Sequence, residues 1–188
     1  MSELRQLQGK ELPAYRRAPL PMGPLQGEYY VTEPVLQATK EALVETALEG
    51  IHEGGHEEMV LWAGKEKGDA VFFLSAVLPE TSHSRHGVEI EEQAVGHSNQ
   101  AIRPYGIGVL AQVHSHPGSG TVHSDGDDDL ILMPFQGMLS IVAPRFGVDM
   151  DGIEALSIHQ YQNGEWVLCT TDSIEESFTV VPKEIDAR

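Results

Sequence analysis

The sequence predicts an α+β domain in which helices flank a mixed, mainly antiparallel sheet. Apolar residues recur at three- and four-residue spacing between Leu36 and Ile51, which is typical of an amphipathic helix. After Gly54 the apolar pattern changes to the period of strands. Asn163-Gly164 separates two apolar runs and is a strong signal for a β-hairpin. With 188 residues, the chain has the size of one domain.

The first regular element is expected near Thr32. Thr32 is a suitable N-cap, and Pro34 follows in the first helical turn, where its missing N–H costs nothing. Residues 1–30 contain several prolines and arginines, which predict an extended N-terminal arm. We assign residues 31–182 to a single domain and residues 183–188 to a C-terminal tail.

The middle of the chain predicts a hairpin, a loop, a helix and a strand in that order. Residues 59–64 and 70–78 are apolar runs joined by a charged turn, as in an antiparallel hairpin. The polar stretch 81–87 predicts a loop, and residues 90–103 predict a second helix. A third strand is expected at residues 107–114.

The last third of the chain alternates between strands and turns. A Gly- and Asp-rich segment covers residues 117–129, and a short helix is expected to continue through 130–133. Further strands are predicted at 138–143, 154–160, 166–170 and, at the edge of the sheet, 178–181.

Composition and charge exclude several classes of protein. Twelve lysines and arginines face 29 aspartates and glutamates, so the formal net charge is −17, and nucleic acid or an anionic membrane would repel the chain. No apolar run approaches the ~20 residues of a membrane helix, and no secretory signal is visible. Cys169 is the single cysteine, which excludes an intrachain disulfide and fits a reducing compartment. We therefore expect a cytoplasmic protein with neither nucleic-acid nor membrane partners.

The residues that carry chemistry concentrate between positions 114 and 127. His114 and His116 end a predicted strand, where residues two positions apart share a face. Ser124 and Asp127 follow, and two imidazoles with one carboxylate suit Zn²⁺ with one position left open, as in catalytic zinc sites. An isolated H-x-H pair is explained better by histidines that cap a strand end. The full pattern H-x-H-x₇-S-x₂-D, however, should arise by chance in roughly one such chain per thousand.

This pattern resembles the JAMM motif of the JAB1/MPN/Mov34 metalloprotease family. The family carries a glutamate upstream of the histidines, in a segment similar to residues 57–64, with Glu57 at the glutamate position and Gly64 at the closing glycine. Val60 stands where the family has an internal glycine. Residues 111–118 and 140–144 are similar to bacterial members found with ubiquitin-like conjugation enzymes. The resemblance covers about residues 34–145 and implies an MPN/JAB-like fold with cytidine-deaminase-like layering.

The resemblance also implies a role for each matching residue. His114, His116 and Asp127 would hold a single Zn²⁺, with water as the fourth ligand. Glu57 would accept the proton of that water and pass it to the leaving amine. Ser124 would donate a hydrogen bond to the tetrahedral oxyanion. Because adjacent strand residues point to opposite faces, only one glutamate of the Glu57-Glu58 pair faces the metal, and the register to Gly64 selects Glu57.

The function that follows is cleavage after the C-terminus of a ubiquitin-like modifier, either for deconjugation or for processing of a precursor. The partner would be the extended C-terminal tail of that modifier. Two alternatives remain open at this point. One is hydrolysis of a small adduct on the C-terminus of a sulfur-carrier protein, and the other is a non-catalytic MPN scaffold.

The remaining histidines carry no comparable pattern. His123 is expected at the surface, with a hydrogen bond to a metal ligand as the less favoured role. His83 and His86 are expected in a loop, with a place beside the substrate as an open alternative. The other histidines are assigned no role: His52, His56, His97 and His159.

Overall fold

The computed structural model describes residues 18–129 and 134–186. Its strands, in chain order, are β1 (Met22–Gly23), β2 (Glu28–Thr32), β3 (Met59–Lys67), β4 (Ala70–Val77), β5 (Thr81–Ser84), β6 (Gly87–Ile90), β7 (Gly108–Ser115), β8 (Leu139–Ala143), β9 (Ser157–Gln162), β10 (Glu165–Cys169) and β11 (Phe178–Val181). Its α-helices are α1 (Glu33–Glu49), α2 (Glu92–Ile102), α3 (Asp125–Asp129) and α4 (Thr171–Ser177). Short 3₁₀ turns lie at Ile51–Glu53, Arg103–Tyr105, Arg145–Gly147 and Ile153–Ala155.

One large sheet joins nine of the strands described, in the order β1-β10-β9-β8-β7-β3-β4-β2-β11. The sheet with its flanking helices confirms the predicted α+β class. The sheet is mixed, as predicted, but antiparallel pairings do not predominate in it. Beside four antiparallel pairings stand four parallel ones, β1 with β10, β2 with β4 and with β11, and β7 with β8. Parallel strands are joined by long crossover connections and not by tight turns. Their pairing therefore cannot be predicted from a turn motif in the sequence.

Regular structure begins before Thr32, which corrects the predicted start of the first element. Strand β2 lies between β4 and β11, and it buries Tyr29 and Val31 in the main core. The Tyr29 ring stacks on Phe73 and Phe178. The segment from residue 22 to 30 thus contributes two strands to the sheet, while residues 1–17 of the expected arm lie outside the described part of the chain.

Helix α1 covers one face of the sheet. Thr32 adopts the extended conformation of an N-cap, and a proline occupies the first turn, as the sequence predicts. Val35 and Leu43 of the helix pack in one core cluster with Val60 and Trp62 of β3. The Trp62 indole Nε1 donates a hydrogen bond of 2.8 Å to the hydroxyl of a buried helix threonine, Thr39, so the one polar atom of this large side chain is satisfied inside the core.

The opposite face of β3 carries a small antiparallel ribbon formed by β5 and β6. Residues 81–87 were predicted as a loop, and this prediction is wrong. The sequence of the ribbon is polar and lacks the apolar pattern of a strand, because only one of its residues, Val88, is buried. Val88 packs in a cluster with Met59 and Leu61 of β3. The ribbon lies next to the functional residues described below.

Three other local predictions are confirmed. The hairpin formed by β3 and β4 is present, and α2 lies within the predicted helix. Strands β9 and β10 pair across Asn163-Gly164, both with positive φ, as a two-residue hairpin turn requires. Helix α4 was not predicted, and the expected helix at 130–133 lies outside the described residues. No helix in the described part of the chain combines the length and apolarity that crossing a membrane would take.

Candidate metal centre

Strand β7 places His114 and His116 side by side in the middle of the large sheet. His114 lies opposite Met59 of β3 in the antiparallel register, so its side chain shares the face that carries the ribbon. The His116 amide donates to the Ala143 carbonyl at 2.9 Å, which extends the pairing with β8 past the end of the strand. The Nε2 atoms of the two imidazoles are 3.2 Å apart, and both residues are buried.

A loop after β7 returns the chain so that Asp127 reaches the two histidines. The backbone of a 3₁₀ turn holds the start of this loop: Arg145 N–H donates to the Gly118 carbonyl and Phe146 N–H to the His116 carbonyl, each at 2.8 Å. Asp127 Oδ1 then lies 3.5 Å from His114 Nε2, and its Oδ2 lies 3.3 Å from His116 Nε2. One ligand atom from each of the three residues lies within 4.8 Å of the others.

Ser124 and Asp127 cap the start of α3 reciprocally. Ser124 Oγ accepts a hydrogen bond from the Asp127 amide at 3.1 Å, and the Asp127 carboxylate accepts one from the Ser124 amide. This is the arrangement of a capping box, in which a side chain at each end satisfies the other residue's backbone N–H. Ser124 therefore orients the carboxylate of Asp127, a role that the sequence analysis did not include.

The chemistry of this donor set fits a metal ion. His116 Nδ1 lies 2.8 Å from the Gly120 carbonyl oxygen, so it donates its N–H there and leaves the Nε2 lone pair for a ligand bond. Burial lowers the pKa of His114, which favours the neutral imidazole that binds metals. Burial raises the pKa of Asp127, but its contacts with His114 and His116 outweigh burial and hold that pKa well below its usual range. Burial also lowers the pKa of His116, while Asp127 more than compensates, so the net shift is upward.

Glu57 lies at the edge of this cluster, on the segment that leads into β3. The carboxylate is buried, and burial raises its pKa to about 8, with His116 lowering and Asp127 raising it in smaller measure. Its amide donates to the Ser84 carbonyl of the ribbon at 2.8 Å. A carboxyl group with a pKa near neutrality can both accept and release a proton under ordinary conditions. Glu57 thus lies near enough to His116 and Asp127 for their charges to act on its carboxylate.

Glu58 has a different environment. Its carboxylate accepts hydrogen bonds from the hydroxyls of Thr46 in α1 and Thr81 in β5, both at 2.8 Å, and from the Met59 amide at 2.7 Å. Glu58 therefore links three elements of the fold. Because β3 begins at Met59, strand alternation alone does not reach the two glutamates, and these contacts are what separate their roles.

A buried polar row lies behind the candidate metal centre, and sequence reasoning missed it. His123, expected at the surface, is completely buried. Its ring stacks on His159 with centroids 3.8 Å apart. His123 Nδ1 lies 3.0 Å from Asp128 Oδ1, and its Nε2 lies 2.8 Å from Ser140 Oγ, which also accepts from Gln112 Nε2 at 3.0 Å. The sequence signal that could have predicted these contacts is the presence of polar residues in otherwise apolar strands. A polar side chain that points into the core requires a hydrogen-bond partner there.

The other histidines divide into a pair and a set of exposed residues. His56 and His83, far apart in the sequence, bring their Nδ1 atoms within 3.1 Å of each other. His52, His86 and His97 are exposed.

Comparison with known proteins gives a relative by sequence and a number of similar solved structures. No family model matches the chain. A probable metalloprotease, y4jG, from Sinorhizobium fredii (strain NBRC 101917 / NGR234), is 32% identical over 107 residues, which are 55% of this chain. The match spans 65% of that relative, slightly less than two thirds of its length.

The solved structures share little sequence with the chain. DSY2949 from Desulfitobacterium hafniense matches with a TM-score of 0.60 and 13% identity, over 82% of this chain and 94% of that one, which shows a common fold. AF2198, a JAB1/MPN domain protein from Archaeoglobus fulgidus, matches with a TM-score of 0.44 and 16% identity, over 81% of this chain and 96% of that one. The sequence relationship to a probable metalloprotease confirms the predicted resemblance to a metalloprotease family, and His114, His116 and Asp127 form the cluster that this resemblance implies for the metal ligands.

Proposed function

We propose that this protein is a zinc-dependent peptidase of the JAMM type that cleaves the bond after the C-terminus of a ubiquitin-like modifier. The observation that carries the proposal is the convergence of His114, His116 and Asp127 beside the buried carboxyl of Glu57. A borderline-soft ligand set with an acid–base group next to it is the composition of a hydrolytic zinc site.

The three ligands would hold Zn²⁺, which supplies polarisation of the scissile carbonyl and acidification of water at neutral pH. The protein's own contribution begins with Asp127, whose orientation is set by the cap with Ser124. It continues with His116, whose N–H to the Gly120 carbonyl turns the other ring nitrogen towards the cluster.

Glu57 carries the proton in this proposal. Its carboxylate accepts a proton from the attacking water as the new C–O bond forms, and it delivers that proton to the amine nitrogen as the C–N bond breaks. The products are a carboxylate on the modifier and a free amine on the target. Burial favours the protonated form of Glu57, which suits the second half of this cycle.

Ser124 would stabilise the oxyanion of the tetrahedral intermediate. Its Oγ accepts the Asp127 N–H through a lone pair, and this bond directs the hydroxyl proton to another acceptor. A single donor of this kind contributes up to ~3–4 kcal/mol to transition-state stabilisation in comparable sites.

The proposed substrate rests on sequence resemblance. Residues 111–118 and 140–144 are similar to bacterial family members found with ubiquitin-like conjugation enzymes, so the partner is the extended tail of a ubiquitin-like protein. Such a tail is suited to bind as an added strand beside an existing one. The single cysteine, Cys169, is buried and unpaired, which favours work in the cytoplasm.

A cleavage assay with defined metal content tests this function. The zinc-loaded chain is expected to hydrolyse a reporter amide joined to the C-terminus of a ubiquitin-like protein, and to lose this activity after chelation. Cleavage of a small C-terminal adduct on a sulfur-carrier protein, without cleavage of the amide reporter, would overturn the proposed substrate. A chain that holds stoichiometric zinc and cleaves neither compound would instead be a scaffold.

A further inference from the structure

A second pair of histidines faces each other beside the ribbon. His56 follows the 3₁₀ turn at Ile51–Glu53, and His83 lies in β5. Their Nδ1 atoms are 3.1 Å apart, and the ring planes are inclined at 52°. The separation is close to the 3.2 Å between the Nε2 atoms of His114 and His116.

The opposite nitrogen of His56 is held by a carboxylate. His56 Nε2 lies 3.0 Å from Glu53 Oε2, so Nε2 carries the proton and Nδ1 presents its lone pair to His83. Histidines that bind metals usually donate their second N–H to a carboxylate or carbonyl in this way. His116 shows the same arrangement with the Gly120 carbonyl.

The local backbone is shaped around this pair. A Cβ atom on Gly50 would lie 2.2 Å from Cδ2 of the His56 ring, so only glycine allows the imidazole to occupy its place. Arg85 of the ribbon turn donates to the Gly54 carbonyl, and the Glu57 amide donates to the Ser84 carbonyl. These bonds fix β5 against the segment that carries His56.

We propose that His56 and His83 form a second cation site, which takes a divalent first-row transition metal such as Zn²⁺. Imidazole nitrogen is a preferred ligand for these ions, and the formal charge of −17 attracts cations to the protein. Two Nδ1 atoms supply the protein ligands, and water completes the coordination. The bound ion ties the ribbon to the segment that leads to Glu57. The competing arrangement is a single proton shared between the two rings.

The test isolates this site in the double variant His114→Ala/His116→Ala, which lacks two ligands of the first centre. The folded double variant is dialysed against buffered Zn²⁺, and its metal content is measured by elemental analysis. One equivalent is expected to remain, and adding His83→Ala is expected to remove it. Adding His86→Ala instead, at an exposed position of the same ribbon turn, is expected to leave that equivalent in place.

A second measurement does not depend on the third substitution. Imidazole ¹⁵N NMR spectra of the folded double variant should show zinc-dependent shifts at Nδ1 of His56 and His83. A double variant that binds no zinc, or whose zinc content is unaffected by His83→Ala, would overturn the second site. So would a spectrum in which an Nδ1 proton persists between the rings at saturating zinc.

This inference stands apart from the proposed function. A parent chain that cleaves its reporter with a single zinc equivalent would refute the second site and leave the first intact. An inactive chain with two equivalents, one of them lost in His83→Ala, would do the reverse.

Discussion

The molecule assembles two pairs of histidines whose ring nitrogens are almost equally far apart, and the pairs differ in what surrounds them. His114 lies in the central strand β7 and His116 directly follows its end. Both are buried, and the Asp127 carboxylate faces the Nε2 atoms of both rings. His56 and His83 come from different parts of the fold and are half-buried, and the carboxylate that contacts the pair, Glu53, lies on the far side of the His56 ring.

The difference shows what turns an imidazole pair into a hydrolytic site. A pair of nitrogen atoms suffices to attract a transition metal, but hydrolysis also needs a third anchored ligand and a group that moves protons. The first pair has both, in Asp127 and Glu57. The second pair has a carboxylate only as a hydrogen-bond partner, so we expect it to bind an ion without hydrolytic activity.

The largest expected effect follows from removing one ligand of the first centre, which tests whether that centre alone supports hydrolysis. His114→Ala and Asp127→Ala should each lose the tightly bound zinc of this centre and all measurable hydrolysis together, because a site with three protein ligands has none to spare. Zinc content and reporter cleavage are measured on the same preparations. His97→Ala, which changes an exposed histidine with no assigned role, serves as the control. A ligand variant that retains as much zinc as the parent chain would show that the ligand set is wrong.

Replacing the proton carrier separates metal binding from turnover. Glu57→Gln preserves shape and should retain zinc while turnover falls by at least ~100-fold, because the proton acceptor is gone. Glu58→Gln should stay within a few-fold of the parent in turnover and lose about 1 kcal/mol of stability, because its carboxylate joins Thr46, Thr81 and the Met59 amide.

Reporter kinetics and urea unfolding of both variants measure the two effects. If Glu58→Gln were inactive and Glu57→Gln active, Glu58 would be the proton carrier and the assignment of Glu57 would be wrong.

Ser124→Ala tests whether the hydroxyl acts on the substrate or only on the helix. If it stabilises the oxyanion, kcat should fall on the order of 10–1000-fold with a modest change in KM, and zinc should stay bound. The lost cap to the Asp127 amide should also cost about 1 kcal/mol of stability. An unchanged kcat, measured where chemistry limits the rate, combined with the stability loss would leave Ser124 with the capping role alone.

A further effect concerns the pH dependence of the stability of the metal-free chain. Burial raises the pKa of Glu57 from 4.5 to about 8, so between these values the folded state keeps a proton that the unfolded state has released. Stability contributed by this group is therefore present below pH 4.5 and declines as the pH rises towards 8, by on the order of 2–4 kcal/mol. Glu57→Gln removes the titration.

Urea unfolding at pH 5 and pH 8 should therefore show the variant gaining stability relative to the parent at the higher pH. An equal difference between variant and parent at both values would contradict the buried, protonated carboxyl.

Sequence alone determined the elements whose geometry depends on near neighbours. Residues two apart on a strand share a face, so the joint position of His114 and His116 follows from one strand. Ser124 and Asp127 are three positions apart, which is the spacing of a capping box at a helix N-terminus. This cap could therefore have been predicted from the sequence, although it was not among the predictions. Asn163-Gly164 likewise specifies its own turn, because both residues must adopt positive φ.

Tertiary structure decided everything that depends on which elements become neighbours. The pairing of β3 with β7 brings Glu57 to His116, and a family resemblance, not the local pattern, pointed to that glutamate beforehand. The burial of His123 on His159 and the meeting of His56 with His83 have no local signature, because each joins segments that are far apart in the chain. Backbone dihedrals and side-chain periodicity act over a few residues, whereas these contacts depend on strand register and on the burial that only the assembled sheet provides.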